Sequence, residues 1–182
     1  MYENYPFWHV FFTELGFRVV LSPNSTKKIY NEGIETIPSE SLCYPAKIAH
    51  GHIVNLIKKG LKFIFYPCVP YERLEDESAD NHYNCAIVIS YPEVIRNNVE
   101  YLRSGKIIYK NPFLNFNDRK SMKKNLYEEL KEFNISRKEI SIAVDKAYEE
   151  ILKVKNDIKN KALEILEELD KNGGKGIVLS GS

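Results

Sequence analysis

The stretch from Ser136 to Asn172 constrains this chain more than any other. Ile140, Ala143, Val144, Ala147, Ile151, Val154, Ile158, Ala162, Ile165, Leu166 and Leu169 recur at three-to-four spacing, the period of one helix face. Ser136-Arg137-Lys138-Glu139 fits the capping box, in which the Ser and the Glu three residues on satisfy orphan amides reciprocally. Asn172-Gly173-Gly174 ends the pattern. A continuous helix of that extent runs roughly 50 Å at 1.5 Å per residue. The remaining chain is too small to cover all of it, so the exposed end is a candidate surface for self-association or for another lobe.

The rest of the 182 residues suffices for one domain with a proper core. Pro6 to Leu15 reads as a short helix with apolar residues around most of its circumference, stopped by Gly16. Phe17 to Leu21 reads as a buried strand, followed by a turn at Ser22-Pro23-Asn24-Ser25 in which Asn24 or Ser25 caps a helix through about Asn31. Ala46 to Lys59 is helical and closed by Gly60, and Leu61 to Tyr66 is a strand ending at Pro67-Cys68. A third cycle has strand Ala86 to Ile89, helix Tyr91 to Arg96 and strand Lys106 to Tyr109. Strands alternating with helices predict an α/β parallel sheet covered on both faces. A charged amphipathic helix over about Arg119 to Phe133 leads into the long one. The expected division is therefore 1–117 as the α/β lobe, 118–172 as the helical extension and 173–182 as a segment in which Gly176 to Ser180 reads as a buried strand, either the opening of a further, truncated part or a terminal strand completing the same sheet.

Hydrophobic residues make up 43% and charged residues 28%, ordinary for soluble globular chains, and no apolar run reaches the length of a membrane span. The opening MYENYPFWHVFF has no basic region followed by an apolar core and cleavage site, so a cytoplasmic location with reduced thiols is expected. With 26 basic against 25 acidic residues and a net charge of +1, the balance points to neither a nucleic acid nor an anionic membrane.

Chemistry concentrates at three cysteines. Cys43, Cys68 and Cys85 stand 25 and 17 positions apart, with no Cys-x-x-Cys pair, which removes zinc ribbons, ferredoxin loops and thioredoxin-type pairs. Cys43 precedes a helix N-terminus, Cys68 follows the end of a strand, and Cys85 lies between the polar loop Asp80 to Asn84 and the next element. In open α/β sheets such loop ends gather on the ligand-binding edge. Cys43-Tyr44-Pro45 and Pro67-Cys68-Val69-Pro70 stiffen the backbone there, and a helix N-terminus favours a thiolate or an anionic cluster. Buried, inert thiols remain the plain alternative.

The runs "FFTELGFRVVLSP", "ETIPSESLCYPAKIAHGHI", "FIFYPCVPYE" and "ADNHYNCAIVISYPEVI" resemble the uncharacterised domain of CoA-substrate-specific enzyme activase-like proteins, related to 2-hydroxyacyl-CoA dehydratase and benzoyl-CoA reductase subunits. The resemblance covers about Tyr5 to Leu179. It implies a flavodoxin-like lobe in which Cys43, Cys68 and Cys85 hold a [4Fe-4S] cluster with one iron open to a non-protein ligand, a cluster that handling in air can strip. It implies low-potential electron transfer linked to a CoA thioester as substrate, and as partners the second lobe and the ATPase part of a larger protein. The Gly-rich phosphate loops of the activase half are missing, with nine glycines in all, so no ATP site is expected here and the chain alone is not expected to be a competent enzyme.

His82 beside Cys85, together with Glu40 and His52, are candidates for hydrogen bonds around such a cluster, which tune its potential. His50 and His52 are two apart and point in different directions on a helix, so they do not share a metal. Glu72 and the tyrosines Tyr66, Tyr71, Tyr83 and Tyr91 lie near the cysteines, the latter as packing that excludes water. Two other readings stay open: a cluster-free module whose crevice binds a nucleotide, CoA or a protein partner, and a Cys3His zinc site using His82 or His52.

Overall fold

The computed structural model describes residues 3–178. Its elements are α1 (Tyr5–Glu14), α2 (Lys27–Gly33), α3 (Tyr44–Lys58), β1 (Phe63–Phe65), β2 (Cys68–Tyr71), α4 (Ala86–Asn98), α5 (Glu100–Arg103), β3 (Ile108–Lys110), β4 (Phe113–Asn115), α6 (Arg119–Leu130) and α7 (Arg137–Asn172), with 3-10 turns after α2 and α6. The expected α/β class with parallel pairing and a long C-terminal helix holds. The chain divides into two compact units, Met1–Val19 with Ser141–Ser182, and Val20–Ile140.

The α/β unit is organised by proline. β1 pairs in parallel with β3, Ile64 opposite Tyr109, and β2 pairs in parallel with β4, Cys68 opposite Phe113. The two ladders are successive stretches of one strand pair. Pro67 separates β1 from β2 and Pro112 separates β3 from β4, and a residue without an N–H leaves a gap in a ladder. Hydrogen bonds from Tyr66 N to Lys110 O (2.8 Å) and from Cys68 N to Pro112 O (2.9 Å) carry the pairing across. Among the described residues the strands thus form two two-stranded ladders, and no wider flavodoxin-like sheet is built.

Helices cover this pair. Ile53 of α3, Ile64 of β1, Ile95 of α4, Leu102 of α5, and Val99 and Ile107 in the connections form a buried cluster. Each fully buried branched side chain of this kind contributes roughly 1.5–3 kcal/mol of transfer free energy. Leu114, Phe116, Met122, Leu126 and Leu130 continue the buried surface around β4 and α6.

Among the described residues, the strands expected at Phe17 to Leu21 and Ala86 to Ile89 do not form. Phe17 to Leu21 is irregular, with Arg18 and Leu21 exposed, and has no ladder partner for its β-branched pair. Ala86 to Ile89, expected as a strand, is the first turn of α4. A four-residue apolar run does not by itself separate helix from strand, and here the later turns decide, since Tyr91, Pro92 and Ile95 are buried even though Pro92 costs its helix a hydrogen bond. Ile177 and Val178 of the expected terminal strand are almost fully exposed in irregular chain; Leu179 and Ser180 lie outside the described residues.

The other unit is held by aromatics. Phe7, Trp8, Phe11 and Phe12 of α1 are buried, and Phe7 meets Tyr148 of α7 edge-on at 5.0 Å between ring centres. The capping box of α7 is formed: Glu139 N donates to Ser136 Oγ at 3.2 Å and Ser136 N donates to Glu139 Oε2 at 2.8 Å.

Candidate functional site

Cys43 and Cys85 occupy equivalent places. Each is the residue before a helix, Cys43 before α3 and Cys85 before α4, with extended backbone and an exposed side chain. Pro45 suits the first turn of α3 because its missing N–H would have no intrahelical partner there. The Sγ of Cys43 lies 3.2 Å from the hydroxyl of Tyr91, one and a half turns into α4. That hydroxyl bond, with a smaller pull from the Ala46 amide, holds the Cys43 thiol below its ordinary range. The amide does not close a capping hydrogen bond. Burial, the bond to Cys43 and the nearby charge of Cys85 push the Tyr91 phenol up. Tyr91 therefore stays a neutral hydroxyl beside Cys43, able to donate to its thiolate.

Cys68 has the opposite character. It starts β2, just past the proline gap, and is completely buried. Burial, followed by the carboxylate of Glu93, pushes its thiol up to about 11. Its surroundings are phenols: burial and the charge of Cys68 raise Tyr66, and Tyr109, raised mainly by burial, senses both. The Tyr109 hydroxyl donates to the carbonyl of Pro92 at 3.0 Å, which ties β3 to α4 at this edge. Tyr66 also helps to raise Tyr91, so the phenols near these thiols stay neutral.

Cys43 and Cys85 thus stand before two helices, and Cys68 is buried at the start of β2. They are not gathered into a ligand set: among the described residues no group of three or more His, Cys, Asp or Glu side chains is placed to hold a metal ion. The donor chemistry suits iron and sulfide, with three soft thiols and two helix N-termini.

The polar candidates divide. His82 packs its ring against Tyr71 and Tyr83, and its carbonyl accepts from Glu72 N at 3.0 Å. The Glu72 carboxylate accepts from Asn84 Nδ2 at 3.0 Å, and the same amide donates to Val69 O at 2.9 Å, so the exposed 73–83 loop is pinned at its base beside Cys85. Glu40 offers its backbone, accepting from Lys47 Nζ at 2.6 Å. His52 has both ring nitrogens engaged, by Ser22 Oγ at 2.8 Å and Ser25 Oγ at 3.0 Å. His50 is buried against Thr36 Oγ1 at 2.9 Å, and burial lowers its pKa to about 4.

Sequence reasoning passed over Glu93, Arg96, Tyr109 and Asn111. Asn111 is buried, donating to Glu93 Oε1 at 2.6 Å and accepting from Arg96 at 3.3 Å. These four residues, with Lys110, Phe113 and Asn125, border a cavity of about 470 Å³. The Asn-Pro step at 111–112, mirroring Tyr-Pro at 66–67, was the one sign available in the sequence.

No helix among the described residues is long and apolar enough to cross a membrane. Neither a curated protein nor a solved structure matches the chain. The model of one family, described as the CoA enzyme activase uncharacterised domain, matches residues 1–182, and the chain belongs to that family.

Proposed function

We propose that the cysteine edge is the working site of this domain and that it holds an iron–sulfur cluster through Cys43, Cys68 and Cys85, as an electron-transfer element of a larger activase-type protein acting on CoA thioesters. The observation that carries the reading is the placement of Cys43 and Cys85 before two helices, with the neutral Tyr91 hydroxyl of the second helix bonded to Cys43. Exposed helix N-termini and a phenol donor favour anionic sulfur, and the lowered pKa of Cys43 provides thiolate. Cys68 supplies the inner thiol, and Tyr66 and Tyr109 keep water from it. A cluster so held supplies one-electron chemistry at a potential set by burial and by hydrogen bonds to its sulfurs. The chain's own part is to fix the thiols, donate from Tyr91 and shield the inner side. The second lobe, the ATPase part and the CoA thioester complete the proposal.

Anaerobic reconstitution with iron and sulfide tests it. A brown protein with about four irons per chain, lost in each of Cys43→Ala, Cys68→Ala and Cys85→Ala, is expected. A colourless wild type, or iron indifferent to the three substitutions, overturns it.

A second reading rests on the cavity beside Asn111. Its polar border, with Arg96 and Lys110 among carboxylates, suits a small charged ligand such as part of a nucleotide or of CoA. Binding of CoA lost in Arg96→Ala, and unchanged in the cysteine variants, separates this reading from the first.

A further inference from the structure

The second half of α7 has an apolar stripe that the described residues leave largely uncovered, with only the turn at Gly174 to Gly176 against Leu169. Ile151 is its last buried residue; from Leu152 to Asn172 every side chain is exposed or half-exposed. Ile158 is 66% exposed, Leu166 60% and Leu163 50%, and the 21 residues span roughly 30 Å at 1.5 Å per residue. Ile151, Val154, Ile158 and then Ala162, Ile165, Leu169 repeat the same three-and-four spacing eleven residues on. An eleven-residue repeat drifts only about 20° over three turns, toward a slight right-handed coil. Such a stripe suits another helix.

Charge says which one. Residues 152–161 carry Lys153, Lys155, Lys159 and Lys161 against Asp157, a net +3; residues 162–171 carry Glu164, Glu167, Glu168 and Asp170 against Lys171, a net −3. The order is the reverse of what the helix dipole rewards, since acidic side chains crowd the C-terminal end. Local pairs such as Lys161–Glu164 and Lys171–Glu167 join neighbours along the helix but leave the separation of charge between halves. A second helix of the same sequence running antiparallel sets basic half against acidic half at both ends and stripe against stripe. A parallel copy sets like charges together throughout. Two-fold symmetry makes such a contact self-complementary.

We propose that residues 152–172 of α7 pair antiparallel with the same segment of a second copy of this chain, with the crossing near Ala162 and Leu163. Sedimentation velocity of the full chain is expected to show a monomer–dimer equilibrium that weakens with salt. A variant with Lys153, Lys155, Lys159 and Lys161 each replaced by Glu, and another with Glu164, Glu167, Glu168 and Asp170 each replaced by Lys, should raise the dimer Kd tenfold or more, which is about 1.4 kcal/mol. Their mixture should dimerise again. With Asn156 replaced by photoreactive p-benzoylphenylalanine, cross-links should fall on peptides containing residues 164–172 of the second copy. A monomer at every concentration, a dimer unaffected by either charge reversal, or cross-links joining position 156 to its own counterpart overturns the proposal.

Discussion

Tyr91 is the residue on which the cysteine edge turns. Its hydroxyl is the main reason Cys43 ionises early, and its own deprotonation is deferred by burial and by the thiols. Tyr91→Phe keeps the ring and removes the donor. Alkylation of Cys43 by iodoacetamide, followed by mass spectrometry against pH, should therefore rise at higher pH in the variant than in the wild type, because the lost hydrogen bond had favoured the thiolate. Cys68, with no exposed surface, should resist labelling in both. If the two Cys43 profiles coincide, the hydroxyl bond does not tune the thiol. The sequence marked the three cysteines and Tyr91 but not their roles, because local context does not say which thiol is buried. Cys43 and Cys85 each precede a helix, and only tertiary packing brings the Tyr91 phenol of α4 to Cys43.

At the scale of elements, the His-Gly-His run in α3 shows how a local pattern carries a packing instruction. α2 and α3 cross so closely at Gly33 and Gly51 that a Cβ on Gly51 would collide with the carbonyl of Ile29, and one on Gly33 with the backbone of Gly51. The flanking histidines then fasten the crossing, His50 to Thr36 and His52 to Ser22 and Ser25. Gly51→Ala should cost about 1–3 kcal/mol by overpacking, lowering Tm by roughly 2–4 °C for each kcal/mol in a chain of this size. Scanning calorimetry reads it; an unchanged Tm would mean the crossing relaxes freely. The longer helix signals were legible, above all the capping box and period of α7, whereas α2 is capped by Thr26 rather than by the expected Asn24 or Ser25. The strands were less so, since Ala86 to Ile89 has strand-like side chains and only the burial of the following turns makes it helix.

Over the whole molecule, buried titratable groups set a range of maximal stability. Burial lowers His50 from 6.5 to about 4, so the unfolded chain binds this proton first as pH falls, and its stabilising contribution, present above pH 6.5, is lost on the way to pH 4. Burial raises Cys68 from 9.0 to about 11, so its contribution is present below pH 9 and is lost as pH rises toward 11. Each arm should slope by at most about 1.4 kcal/mol per pH unit. Urea denaturation should show a plateau between about pH 6.5 and 9, and Cys68→Ala should flatten the alkaline arm whatever its cost on the plateau. A slope that survives that substitution belongs to other groups.

The sequence by itself determined the longer helices, the capping box of α7, the α/β alternation, the parallel pairing it implies and the positions of the thiols, because helix period, capping chemistry and proline act over a few residues. Tertiary structure alone decided which short apolar runs pair. Phe63 to Phe65 finds Ile108 to Lys110 across some forty intervening residues, while Phe17 to Leu21 and Ala86 to Ile89, equally strand-like, find no partner. A ladder needs two chains to meet, and which two meet is a property of the core they bury rather than of either segment.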